Sequence, residues 1–312
     1  MSKKKYPLYN DCVFHRVFGT EETKNNLVYL INTVFQEIKR KKAEYVSIMD
    51  SVNYGKTVKD KKVVFDIKAR TNAKNLVNVE IQLEGKKYYI ERSFIYLCKL
   101  HGDQVPIGEE YDIVKTTYGI SFIDFTLFKN HSGSVNLISP THWIDKDCTL
   151  GQVEMIYVEM PKVKMINKNS KPIEKMVYLI KNADNSEDKT VSILRAEDPA
   201  LDQICIDYNK TAEDKELMAY LEAREKFRRD VVAEKAYARD EGLAEGLAEG
   251  LAEGKAEGLA EGKAEGRAEG LAEAKAEVAL RLAQRDLPIA EIADMVGITE
   301  AEVQHIIAAA NE

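Results

Sequence analysis

Val63-Val64-Phe65-Asp66-Ile67-Lys68-Ala69, followed after a polar turn by Leu76-Val77-Asn78-Val79-Glu80-Ile81-Gln82-Leu83, is the stretch that decides the fold. Successive side chains of a strand point to opposite faces. Phe65, Ile67 and Ala69 therefore share one face of the first segment, and Asp66 and Lys68 the other. In the second, Val77, Val79, Ile81 and Leu83 fall together, leaving Asn78, Glu80 and Gln82 opposite them. Thr71-Asn72-Ala73-Lys74-Asn75 between the two has the composition of a hairpin turn. Antiparallel pairing would bring Asp66 and Glu80 together on the polar face, a spacing suited to a divalent ion between oxygen ligands. Magnesium favours one or two carboxylates completed by water and substrate phosphate. Such an ion can activate water and stabilise charge on a phosphoryl group. The same alternation also describes a hairpin whose outer face is merely hydrated, and spacing alone leaves both readings standing.

Helical periodicity flanks the pair. Leu27, Leu30, Ile31, Val34, Phe35 and Ile38 recur at helical spacing, so residues 24–39 are expected to form an amphipathic helix on the sheet. A second helix, residues 87–101, is expected to pack through Ile90, Phe94 and Leu97, with Tyr89, Arg92, Tyr96 and Lys99 on another face. Arg92 and Tyr96, at i and i+4, are neighbours on that surface. An arginine there can grip a phosphate bidentately or brace a carboxylate; pairing with Glu84 or Glu91 on a solvated face is the plainer alternative. Asp11 is expected to cap a short helix, Cys12 to Phe18, in preference to a metal role. Further on, strands are expected at 119–125 and 152–160, and helices at 173–181, 199–208 and 212–240.

Taken in order, these residues carry a resemblance. Asn10-Asp11-Cys12-Val13-Phe14-His15-Arg16-Val17-Phe18-Gly19, a helix ending in Leu30-Ile31-Asn32, Asp66, Glu80-Ile81-Gln82, then Tyr89, Arg92 and Tyr96, then Gly108-Glu109-Glu110-Tyr111 before the strand from Gly119, resemble the recombination-promoting nuclease/transposase (Rpn) family, a branch of the PD-(D/E)XK nucleases. The resemblance runs from about residue 6 to at least residue 130 and implies an α/β core of αβββαβ type with a mixed sheet. It implies a metal-dependent DNA endonuclease, a hydrolase of phosphodiesters linked to DNA recombination. Asp66, Glu80 and the Ile81 carbonyl would be the ligands of Mg2+ or Mn2+. Gln82 would orient water where the wider superfamily has lysine, with Arg92, Tyr96 and Lys68 binding phosphate or bracing the site. The glutamine removes the usual cationic partner of the attacking water, a charge that Lys68, Lys86 or Lys87 could supply.

Charge distribution agrees with a phosphate-bearing partner. Residues 1–100 hold 20 Lys+Arg against 11 Asp+Glu, a net of +9, although the whole chain is at -7. Such segregation suits nucleic acid, while lysine runs on solvated loops would give the same count. Cys12, Cys98, Cys148 and Cys205 show no Cys-x-x-Cys pair and no histidine at zinc-ligand spacing, and read as reduced thiols of a cytoplasmic protein. The start lacks the apolar core of a secretory signal, and no stretch approaches membrane-spanning length. Trp143, the sole tryptophan, reads as a packing residue.

Residues 241–277 repeat Gly-Leu-Ala-Glu, with Lys or Arg sometimes replacing Leu, and take up eight of the chain's 17 glycines. Each glycine costs a helix about 1 kcal/mol against alanine, and the glutamates stack like charges four apart. A helical connector, shared between protomers in a homo-oligomer, and a flexible spacer both fit. In residues 278–312 the pattern is helix-turn-helix: Ile289 to Met295, a turn at Gly297, and a capping box of Thr299 and Glu302 opening a second helix with Val303, Ile306 and Ile307. That second helix offers no Lys or Arg to phosphates, which favours an interaction module over DNA reading. The organisation expected is a nuclease-like domain over 1–240 with irregular and helical additions, the repeat over 241–277 and the tail over 278–312. Two other classes fit the same residues: a catalytically impaired DNA-binding protein, and an oligomeric interaction protein assembled through the repeat and tail.

Overall fold

The computed structural model describes residues 5–49, 67–105, 107–108, 110–141 and 152–310. Asp66, His142, Trp143 and Cys148 lie outside them, as does the start of the first expected strand. Contacts divide the chain into two compact units, Met1–Phe227 and Arg228–Glu312.

The first unit is built on a six-stranded mixed sheet in the order β1-β2-β3-β4-β6-β5. Strands β1 (Val46–Ile48), β2 (Ile67–Thr71) and β3 (Leu76–Gln82) run antiparallel in turn. Helix α3 (Tyr89–Gly102) then returns the chain so that β4 (Thr117–Ile123) lies parallel to β3, and β6 (Val153–Glu159) parallel to β4. An antiparallel edge strand, β5 (Val135–Ile138), closes the far side. The expected hairpin forms, with Ile67 opposite Val79 and Lys68 opposite Asn78. Its turn places Lys74 at φ 65, where its N–H donates to the Thr71 carbonyl at 2.8 Å.

Alternation then sorts the two faces as the sequence predicts. Ile67, Ala69, Val77, Val79, Ile120, Phe122, Ile156 and Val158 are completely buried in the main core. Helices α1 (Asp11–Phe18), α2 (Lys24–Glu37), α4 (Pro172–Asn182), α5 (Lys189–Glu197) and α6 (Pro199–Glu213) contribute the rest of that core, with Phe14, Phe18, Leu30, Ile31, Met176, Leu201 and Tyr208 among their buried side chains. The start of α7 (Lys215–Ala283) joins them through Leu221. Two buried polar side chains of this core are paired: the Asn26 amide donates at 3.0 Å to the Val17 carbonyl and to Asp207, and the Tyr208 hydroxyl donates to the Tyr6 carbonyl at 2.8 Å.

Two expectations need correction. The cap of α1 is Asn10, not Asp11: the Asn10 side-chain oxygen accepts from the N–H groups of Cys12 and Val13. Asp11 sits at the first helical position, where its carboxylate also accepts from the Cys12 N–H, and is gripped bidentately by Arg224 at 2.6 and 2.7 Å. Helix α3 is turned relative to the expected face. Ile90 and Phe94 are 40% and 46% exposed, while Tyr89 is buried at 4% together with Leu97. The reason lies in the partner surface. The sheet face beneath α3 carries Asn78, Glu80 and Ser121, so the helix docks with the side that can hydrogen-bond.

In the second unit the repeat is helical throughout, since α7 runs without interruption across it. Its leucines stand in solvent, from 59% exposed at Leu251 to 75% at Leu243. A small cluster forms where the end of α7 meets α8 (Ile289–Val296) and α9 (Glu300–Ala310), around Ala279, Ile292, Ala293 and Val303. The helix-turn-helix pattern is realised: Gly297 takes the left-handed φ of 67 that glycine tolerates without strain. Thr299 and Glu302 form the reciprocal cap, the Glu302 N–H donating to the Thr299 hydroxyl and the Thr299 N–H to the Glu302 carboxylate.

Candidate active site

Residues 78, 80 and 82 of β3 point away from the main core because 77 and 79 fill it. Asn78 and Glu80 face the underside of α3, which crosses β4 and β6. Glu80 is half-buried there. One oxygen of its carboxylate, Oε1, accepts from the Ser121 hydroxyl at 2.8 Å and from the Tyr89 phenol in a very short contact. Both donors follow from the fold: Ser121 is the residue paired with Glu80 across the parallel strands, and Tyr89 begins the helix above. Two charge-assisted bonds on one oxygen fix the carboxylate's orientation and leave Oε2 to another partner. Burial, together with the neighbouring charge of Glu80, raises the Tyr89 pKa far above its ordinary value, so the phenol remains a donor at any physiological pH.

A second polar pair backs the first. The Ser93 and Tyr157 hydroxyls meet at 3.0 Å, and the ring of Tyr157 lies edge-on to Tyr89 with centroids 6.3 Å apart. Phe125 packs edge-on against Tyr89, and the Phe128 ring lies tilted against Tyr157 with centroids 5.8 Å apart. Leu97 sits over Gly119, where an added Cβ would come within 2.9 Å of its methyl. Glycine at 119 is thus what lets α3 come down onto β4. These groups enclose a recess of about 20 Å³ lined by Asn78, Glu80, Ser93, Tyr96, Ser121 and Tyr157, room for about one water.

The expected site residues divide among several positions. Glu80 is on the polar face as predicted, and the described register ends with Ile67 opposite Val79, one residue short of Asp66 on one strand and of Glu80 on the other. Asp66 itself lies outside the described residues. Ile81 points to the opposite face and packs against the main core, leaving its carbonyl as the group of interest. Lys68 is half-buried and cross-strand from Asn78. The Gln82 amide donates to the Glu84 carbonyl at 2.9 Å, turned toward the chain that follows the strand. The Arg92 guanidinium lies 5.8 Å from the centroid of the Tyr89 ring, and Tyr96 is exposed at the edge of the recess.

The hydrogen-bonding roles of Tyr89 and Ser121 were not readable from the sequence, since nothing local reveals which strand will lie beside β3. Asn78 was visible only as a polar-face residue. Its side-chain oxygen is buried and makes no hydrogen bond among the described residues. An orphaned buried oxygen on the residue two before Glu80 suits a hard cation, which takes oxygen ligands. No group of three His, Cys, Asp or Glu able to hold a metal occurs among the described residues, so any such site has to draw on Asp66, on carbonyls or on substrate. His101, by contrast, is structural, its ring nitrogen 2.9 Å from the Thr117 hydroxyl and 3.2 Å from the Gln104 amide.

A mixed sheet with its hydrophobic face under five helices and an oriented carboxylate under a single crossing helix defines a nuclease-like α/β core. Residues 8–238 match the family model described as PD-(D/E)XK nuclease family transposase, and the chain belongs to that family. Neither a curated protein nor a solved structure gives a match. The family hit covers both the motif-bearing strands and helices α4 to α6, in keeping with the single core those elements share.

Proposed function

We propose that the protein is a metal-dependent DNA endonuclease that hydrolyses phosphodiester bonds at Glu80, with Asp66 as the second carboxylate. The observation that carries this reading is the Glu80 carboxylate, held at Oε1 by Tyr89 and Ser121 on the polar face of a nuclease-family sheet. Glu80, Asp66 and the Ile81 carbonyl are the ligands proposed for Mg2+ or Mn2+, with the buried Asn78 oxygen as a further donor beside them. A bound divalent ion supplies Lewis acidity toward the phosphoryl oxygen and lowers the pKa of water. Arg92 contributes a planar pair of donors for phosphate, and Lys68 a positive charge on the same sheet face. Gln82 orients the attacking water through its amide once that group leaves the Glu84 carbonyl. Tyr89, Ser121 and the rings around them exclude bulk water from one side of the carboxylate.

One observation favours a second reading, that of a DNA-binding protein impaired in catalysis. Gln82 stands where a lysine would bring charge, and its amide is occupied by backbone. A cytoplasmic location is part of the same proposal, and residues 241–312, with their exposed leucines, are the proposed seat of any homo-oligomer. No helix among the described residues is long and apolar enough to cross a membrane.

Plasmid DNA incubated with magnesium and the full chain, beside Asp66→Ala and Glu80→Ala variants, tests the assignment. Nicking by the parent and its loss in both variants is expected. Equal cleavage by all three removes this site as the source of activity, and binding without cleavage by the parent selects the second reading.

A further inference from the structure

The outer edge of α3 combines aromatic rings and cations, with Glu91 the acid of its first turn. Arg92, Ile95, Tyr96 and Lys99 stand at i, i+3, i+4 and i+7 and so share one face. Tyr88 lies one turn earlier, its carbonyl accepting the Arg92 N–H at 3.1 Å. The rings of Tyr88 and Tyr96 are 63% and 56% exposed, and the Lys87 ammonium lies 4.8 Å from the centroid of Tyr88. Exposed tyrosines contribute little to a core. Tyr88 in addition occupies the left-handed region at φ 63, which is strained for a residue with a side chain.

The recess at Glu80 decides what these rings can do. Tyr96 lines its edge, yet its volume of about 20 Å³ admits a water or an ion and no nucleobase. The bases of a strand whose phosphate reaches Glu80 must stay outside, where Tyr96 stands. In a duplex the base faces are already covered by their neighbours, whereas an unpaired strand offers them to an aromatic surface, and its phosphates to flanking cations.

We propose that Tyr88 and Tyr96, flanked by Lys87, Arg92 and Lys99, form a platform on which bases of unpaired DNA stack, so that single-stranded or locally opened DNA is the substrate class. This rests on the nuclease reading above, and deepens it by naming the form of DNA the site takes. Charge complementarity supports the occupant: the cations Lys87, Arg92 and Lys99 outnumber Glu91, the acid on the same stretch of chain, and leave a net positive edge for phosphates.

The test is a binding measurement on the full chain in EDTA, where no hydrolysis intervenes. Fluorescence anisotropy compares a short labelled single strand, the matching blunt duplex, and the same single strand with abasic sites. The parent protein is expected to bind the intact single strand more tightly than the duplex. Tyr88→Ala and Tyr96→Ala should each weaken single-strand binding about 5- to 150-fold while changing duplex binding by less than about 2-fold, the range of one stacked base. Tyr96→Phe, which keeps a ring, should bind as the parent does. The abasic strand gives the same answer without any substitution: the parent should bind it as weakly as Tyr96→Ala binds the intact strand. Duplex binding equal to or tighter than single-strand binding, no single-strand binding at all, or an abasic strand bound as well as the intact one overturns the platform. Cleavage that disappears in Glu80→Ala while the EDTA affinities stay as expected locates a fault in neither proposal. Loss of ring-dependent binding with cleavage intact sinks the platform alone, and intact stacking with no cleavage by the parent sinks the nuclease alone.

Discussion

Replacing Tyr89 by Phe isolates the bond that orients the candidate catalytic carboxylate. The ring stays, so its edge contacts with Phe125 and Tyr157 are retained. The phenolic donor to Glu80 disappears, together with the hydroxyl's contact with Ser121. A hydrogen bond to an ionised group is worth about 1.5–3 kcal/mol. Two features set the expected loss toward the lower end: Ser121 continues to donate at 2.8 Å, and Glu80, being half-buried, can recover water on its open side. A loss of about 1.5–2 kcal/mol is therefore expected for Tyr89→Phe in the parent. In a Glu80→Ala background the same substitution removes a buried hydroxyl that has lost its main acceptor, and should be neutral or stabilising. Urea unfolding followed by far-ultraviolet circular dichroism gives the four stabilities of a double-mutant cycle. The expected coupling is at least about 1.5 kcal/mol. An equal cost of Tyr89→Phe in both backgrounds would falsify the claim that Tyr89 acts on Glu80, and would reduce the tyrosine to a packing residue.

Three further outcomes concern other parts of the chain. Glu159 is completely buried and accepts from the N–H groups of Leu127 and Phe128 at 2.6 and 3.0 Å, from the Asn136 amide at 2.8 Å and from Lys162. Burial by itself would raise its pKa, but these donors outweigh it and hold the carboxyl below the usual range. Its stabilisation is thus present above about pH 4.5 and lost as pH falls below that, so Glu159→Gln should cost about 3 kcal/mol at neutral pH and flatten the acid limb of a stability-pH profile; a parallel acid limb would refute this. Burial, and then the charge of Asp11, push the Cys12 thiol up to about 12, and burial pushes Cys205 to about 11. Both are raised above the unfolded value, so stability should be intact below about pH 9 and decline above it. A double Cys12→Ala, Cys205→Ala variant should lose less between pH 9 and 10 by urea titration, and an identical decline would contradict the assignment. In the repeat, a Cβ added at Gly246, Gly250 or Gly254 meets nothing, so each glycine-to-alanine change should strengthen the helix by about 1 kcal/mol or less. Amide exchange across the repeat should slow, and unchanged exchange would mean that something other than backbone entropy limits this helix.

Much of this protein could be read from its sequence because the signals involved are local. Alternation in residues 76–82 placed Val77 and Val79 in the core and Glu80 on the polar face, since side-chain direction along a strand follows from backbone geometry alone. The amphipathic period of α2 and the Gly297 turn with its Thr299 and Glu302 cap were legible for the same reason. Three- and four-residue strands such as β1 and β5 were not, because so few residues carry no period. Tertiary structure alone decided which side of α3 is buried. Hydrophobicity favoured Ile90 and Phe94, yet the sheet face that α3 covers carries a carboxylate and hydroxyls, and burying those beneath apolar side chains would leave them without partners. The helix consequently turned Tyr89 and Ser93 inward and exposed the two apolar residues. Asp11 shows the same division at smaller scale: its position at a helix start was local, but its true partner, Arg224, lies more than two hundred residues away in sequence and is adjacent only after folding.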